Sequence, residues 1–90
     1  SLLKSYSHDE NLLVSLAAVN YSLSRFKEVI INCNDVIAKN EKNYAAYFYR
    51  GLSNMKLENY IDALNDFYVT LKWQKQIGAN SDALLIQYIN

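Results

Sequence analysis

The chain has no proline and only two glycines in 90 residues. Two isolated glycines make no Gly-rich phosphate loop. No Asn-Gly or Asp-Gly pair appears, and no apolar–polar alternation persists, so hairpins and strands are not encoded. The single cysteine, Cys33, excludes an intrachain disulfide and fits a reducing, cytoplasmic location. Neither sign of charge is in excess: nine Lys and Arg balance nine Asp and Glu. Non-specific nucleic-acid binding needs a basic surplus, so no nucleic-acid partner is expected. No apolar run approaches the roughly 18–20 residues that span a bilayer, so no membrane insertion is expected. The start, Ser1 to Glu10, lacks a basic stretch followed by an apolar one, so it does not read as a signal peptide. It also lacks an initiating Met and reads as the start of an excised fragment.

What is present is helical periodicity that repeats. Apolar residues make up 51% of the chain, enough to build a core, though one that is marginal alone at this length. Shifted against itself by 34 positions, the sequence matches without a gap. Leu23 then faces Leu57, Phe26 faces Tyr60, Val29 faces Ala63, Cys33 faces Phe67 and Ile37 faces Leu71. The pair Leu16 and Arg50 is the mismatch. One repeat spans 10–43 and the next 44–77. Within the first, Leu12, Leu13, Leu16, Ala17 and Leu23 form one helical stripe. Phe26, Val29, Ile30, Cys33, Val36 and Ile37 form another. In the second, Ala46, Tyr47, Gly51, Met55 and Leu57 precede Tyr60, Ala63, Leu64, Phe67, Tyr68 and Leu71. Ser24 and Asn59 are the expected N-caps of the second helix of each pair. Gly51, Ala17 and Ala63 are expected where helices cross, with Phe67 and Tyr60 filling the space beside them. Residues 1–9 read as the tail of a preceding helix and a loop. Residues 78–90 read as a break at Gly78 to Asn80, then a capping helix from Asp82 to Ile89 with Ser81 as its cap. Repeat arrays need such end pieces because each unit buries its face only against neighbours. The expected fold is all-α: one domain of antiparallel helix pairs, two repeats plus the C-terminal cap.

Tyr47, Gly51, Tyr60, Ala63, Phe67 and Leu71, with Leu13, Ala17, Phe26, Val29, Cys33 and Val36, resemble the tetratricopeptide-repeat (TPR) family's alternation of bulky, small and aromatic positions. The likeness covers about three quarters of the chain. The proline usual near the end of each repeat is replaced by Glu41 and Lys75. Two stretches, Leu16 to Asp35 and Tyr47 to Gly51, are most similar to the TPR domains of immunophilin-type, chaperone-associated proteins. That likeness implies a groove that binds a protein segment, and no catalysis within this chain. In those relatives a basic and polar groove grips the acidic C-terminal tail of a heat-shock chaperone, beside a prolyl-isomerase domain that would lie outside this chain. The clamp is not retained: its three groups fall on Ser15, Ala45 and Tyr49. Arg50 stands one position, about 100°, around the helix from the last of these.

The groove implied by the resemblance is apolar and aromatic: Val14, Ala18, Phe48, Tyr49 and Leu52, with Asn11, Ser15, Ala45 and Lys56 beside them. An exposed apolar strip usually marks a binding surface, and tyrosine suits interfaces because it buries area and keeps a hydroxyl. The leading expectation is a protein or peptide partner with an apolar segment. The alternatives are an acidic heat-shock-chaperone tail held through a modified clamp, membership of a larger enzyme whose prolyl-isomerase domain lies upstream and outside this chain, and self-association through exposed faces. No cofactor, metal site or catalytic residue is expected. His8 beside Asp9 and Glu10 has no second histidine. Cys33 sits at a core position, where a thiol is a small hydrophobe rather than a nucleophile. Asp35, Glu58, Asp62 and Asp66 read mostly as solvated carboxylates rather than an acid pair. Tyr47, Tyr60 and Phe67 read as core aromatics, and Trp73 as packed near Ile77 under the capping helix. Lys56, Lys72 and Lys75 sit near helix C-termini, where they favour the dipole.

Overall fold

A computed structural model describes residues 9–77, which form four helices and, among these residues, no strand: α1 (Glu10–Ser22), α2 (Phe26–Lys39), α3 (Tyr44–Lys56) and α4 (Tyr60–Ile77). The fold is all-α. The expectations placed on residues 1–8 and 78–90, including His8, Ser81 and the capping helix, lie outside the described residues.

Local chemistry sets the helix starts. The Asp9 carboxylate accepts from the amides of Asn11 at 2.8 Å and Leu12 at 3.2 Å, capping α1. Asn43 Oδ1 accepts from the Ala46 amide at 3.3 Å and caps α3. Each cap satisfies amides that the helix leaves without an internal partner.

Two tight reversals join α1 to α2 and α3 to α4, and they are built alike. The Arg25 and Asn59 amides reach back to the Asn20 and Asn54 carbonyls, both at 2.8 Å. The Ser24 and Glu58 amides reach the Tyr21 and Met55 carbonyls, both at 3.0 Å. This pattern requires left-handed backbone at the residue after the helix. Ser24 (φ 60°) and Glu58 (φ 66°) supply it. Ser24 is therefore not an N-cap. It closes α1, and Arg25 occupies the cap position of α2 without a side-chain bond. Asn59 does stand just before α4, but its side-chain amide reaches Asn54 Oδ1 at 3.5 Å. Glu10 and Tyr44, Phe26 and Tyr60, and Ser24 and Glu58 all stand 34 positions apart.

The core runs through three helices. Leu13 and Ala17 of α1, Val29, Cys33 and Val36 of α2 and Ala46 of α3 form one buried cluster, flanked by Val14, Tyr21, Ile37 and Tyr49. α2 packs on α1 and on α3, and α3 packs on α4. At the α3–α4 crossing, a Cβ added to Gly51 would sit 2.7 Å from Phe67 Cε1 and 3.2 Å from Asp66 Cβ. Glycine there lets α4 approach, and the Phe67 ring fills the gap.

Several apolar residues assigned to packed stripes are instead exposed: Leu12 and Leu16 on α1, Leu23 at its C-cap, and Tyr60, Leu64, Tyr68 and Leu71 on α4. Tyr60 is not a core aromatic, at 58% exposure. Leu13 and Ala17 lie about 100° around α1 from Leu12 and Leu16, so one broad stripe splits into a buried and an open side.

Candidate functional site: the α1–α3 face

Helices α1 and α3 lie side by side, both packed on α2. The predicted groove residues come from these two helices. Asn11, Val14, Ser15 and Ala45 come together, lining an open cleft of about 440 Å³ with Asn40, Lys42, Asn43 and Tyr44. Ala18 and Leu52 are half-buried, Lys56 is exposed, and none of the three lines this cleft.

Phe48 and Tyr49 belong to a chain of rings. The Phe26 ring meets Tyr21 edge-on at 5.6 Å, and Tyr21 lies 6.5 Å from Tyr49. Tyr49 meets Phe48 edge-on at 5.7 Å, and Phe48 lies 6.2 Å from Phe67. All four helices contribute to this line. Tyr49 leans on the core, whereas Phe48 remains 42% exposed. The pairs favour tilted and edge geometries, as ring quadrupoles do. Tyr21 and Phe67 were not read as neighbours of the groove aromatics. The 34-position match relates each pair to its counterpart and does not say which residues touch across helices.

The cleft's polar wall is already organised. Glu10 Oε1 accepts from Asn40 Nδ2 at 3.1 Å and from Asn43 Nδ2 at 2.8 Å, tying the α2–α3 linker to the start of α1. The Lys42 ammonium lies 5.7 Å from the Trp73 ring centre, and the Lys72 ammonium lies 5.2 Å from it. Trp73 is half-buried between these cations. The expected cover over it falls on residues outside those described.

Behind the face, Arg50 grips Asp66. Arg50 Nη2 and Nε donate to the carboxylate at 2.7 and 3.0 Å, Nη1 donates to Asn34 at 2.9 Å, and the guanidinium lies over the Tyr47 ring at 5.5 Å. Asn54 Nδ2 donates to Asp66 Oδ2 at 3.2 Å. Asp66 is thus a buried structural carboxylate, not a solvated one, because α4 turns it toward α3. Its hydrogen bonds raise the Arg50 pKa further above the ordinary arginine value, against the opposing effect of burial. The Cys33 thiol is 1% exposed, and burial pushes its pKa up to about 12. A thiol so protonated is a packing group. Among the described residues, no three His, Cys, Asp or Glu side chains gather as metal ligands, and no helix is long and apolar enough to cross a membrane.

The chain matches no family model, no curated protein and no solved structure.

Proposed function

We propose that the chain is a TPR-type array whose α1–α3 face holds an apolar segment of a partner protein, and that its role is binding rather than catalysis. The observation that supports this most is Phe48: a large ring, 42% exposed, in the line of rings that runs from Phe26 through Tyr21 and Tyr49 to Phe67. An apolar ring kept partly in water beside a preformed cleft is the usual anchor of a protein contact. The repeated reversals and the spacing of the helix starts fit the TPR reading. A tagged chain should capture a partner from cytoplasm, and Phe48→Ala should lose it by tenfold or more with the helical circular dichroism unchanged. Undiminished capture would remove the groove from the account.

One observation favours a second reading, an acidic chaperone tail. Asn11 and Lys42 line the same cleft and are donors. Asn40 and Asn43 are donors too, but their amides already serve Glu10, whose own charge opposes a carboxylate guest. A calorimetric titration with a peptide ending Glu-Glu-Val-Asp separates the readings. Saturable heat, lost on Lys42→Ala, would carry the tail reading and displace the apolar one.

A further inference from the structure

Among the described residues, the two outer helices each leave an apolar side open. On α1 and its C-cap, Leu12, Leu16, Val19 and Leu23 follow at spacings of four, three and four and are 44–56% exposed. On α4, Ile61, Leu64 and Tyr68 are 68–76% exposed, with Tyr60 and Leu71 beside them. Contiguous patches of this kind rarely stay bare.

The junction between α2 and α3 shows what covers such sides. Leu12 and Val19 of α1 correspond, 34 positions on, to Ala46 and Ser53 of α3, which are both wholly buried. Tyr60, Leu64 and Leu71 of α4 correspond to Phe26, Ile30 and Ile37 of α2, which are all half-buried, whereas Ile61 and Tyr68 correspond to Lys27 and Asn34, which stay exposed at the rim. Helix α1 therefore carries the α3-type half of that junction, and α4 carries the α2-type half. Both halves are present, complementary and uncovered by each other.

The charges agree. The short 40–43 linker makes α2 and α3 antiparallel neighbours. Laid on α4 in the same sense, the α1 of another copy brings Asp9 and Glu10 to the end bearing Lys72 and Lys75. Its Arg25 then comes to the end bearing Glu58 and Asp62. Opposite charges meet at both ends of an apolar strip, which fixes direction.

We propose that the chain associates head to tail with a second copy, the α1 side of one molecule seated on the α4 side of the next, repeating the α2–α3 junction between molecules. The two sides differ, so each added copy leaves one open and the assembly grows beyond a dimer, into a ring where the rotation closes and a filament where it does not. This rests on the outer helices and is independent of the α1–α3 face.

Sedimentation velocity on the full chain tests it, with two variants checked for folding by circular dichroism. Leu16→Glu with Val19→Glu blocks the α1 side, and Leu64→Glu with Tyr68→Glu blocks the α4 side; all four residues are exposed. The unaltered chain should grow in mass with concentration. Each variant alone should be a monomer, and an equimolar mixture of the two should give a dimer. A concentration-independent monomer of the unaltered chain overturns the proposal and gives the faces to the chain's own flanking residues or to a different protein. Association of either blocked chain alone overturns it in favour of like-to-like pairing, and a mixture that stays monomeric overturns it outright.

Discussion

The first helix pair, α1–α2, and the second, α3–α4, share a backbone plan and differ in how they are tied across. In the first, Asn20 Nδ2 donates to the buried Asn32 at 2.9 Å. In the second, the corresponding residues are Asn54 and Asp66, and the neutral tie becomes a charged one. A buried carboxylate needs a cation. Arg50 supplies it, where the first pair has Leu16. The Leu16–Arg50 mismatch is therefore half of a compensated change. The crossings differ the same way: Ala17 beside Cys33 in the first pair becomes Gly51 beside Phe67 in the second, so the larger ring is matched by the smaller residue. At both of these places, equivalent positions change together with their partners.

That reading breaks most visibly at the ion pair. Arg50→Leu leaves Asp66 buried without its cation and should cost about 3 kcal/mol in urea unfolding. Adding Asp66→Asn installs the first pair's own combination and should recover most of the loss. Equal losses in the single and double variants would deny the compensation. At the crossing, Gly51→Ala should destabilise by about 1 kcal/mol, because forcing the Phe67 ring aside outweighs the helix propensity gained. With Phe67→Cys, the loss should fall short of the two single losses added together. Simple additivity would show that the two residues do not share the space. Glu58→Gly should stabilise by roughly 0.5–1 kcal/mol, since left-handed backbone costs glycine least. An unchanged melting midpoint would mean that the reversal is not strained.

The smallest effect is nil at neutral pH and appears only in base. The Cys33 thiol is raised from 9.0 to about 12 by burial. Its contribution to stability is complete below the unfolded value and is lost as pH rises through the folded one, because the unfolded chain ionises first. Stability should fall between about pH 9 and 12, and Cys33→Ala should flatten that part of the decline. Phe67 holds the equivalent place in the second pair and brings no such dependence.

The sequence was enough to foresee four helices, their pairing and the small residues at the crossings, because helical periodicity and the 34-position match act within the chain. It was not enough to separate Leu13 and Ala17 from Leu12 and Leu16, since a broad apolar stripe does not say which edge another helix covers. Ser24 looked like a cap because serine caps helices. Its left-handed backbone comes from the reversal that Arg25 and Asn20 close. Asp66 looked solvated because its partner, Arg50, is sixteen residues away on another helix. Of the groove residues, Asn11, Val14, Ser15 and Ala45 meet in one cleft, whose other wall comes from Asn40, Lys42, Asn43 and Tyr44. A linker's position over a neighbouring helix has no periodic signature.

The most direct measurement of the binding account is photo-crosslinking in cells, with a benzophenone amino acid placed at Phe48 and, as control, at Lys39, which is also exposed but lies at the end of α2. One discrete adduct is expected from position 48, absent from position 39 and lost when Leu52 beside it is changed to Glu. The same adducts from both positions, or none from position 48, would contradict it.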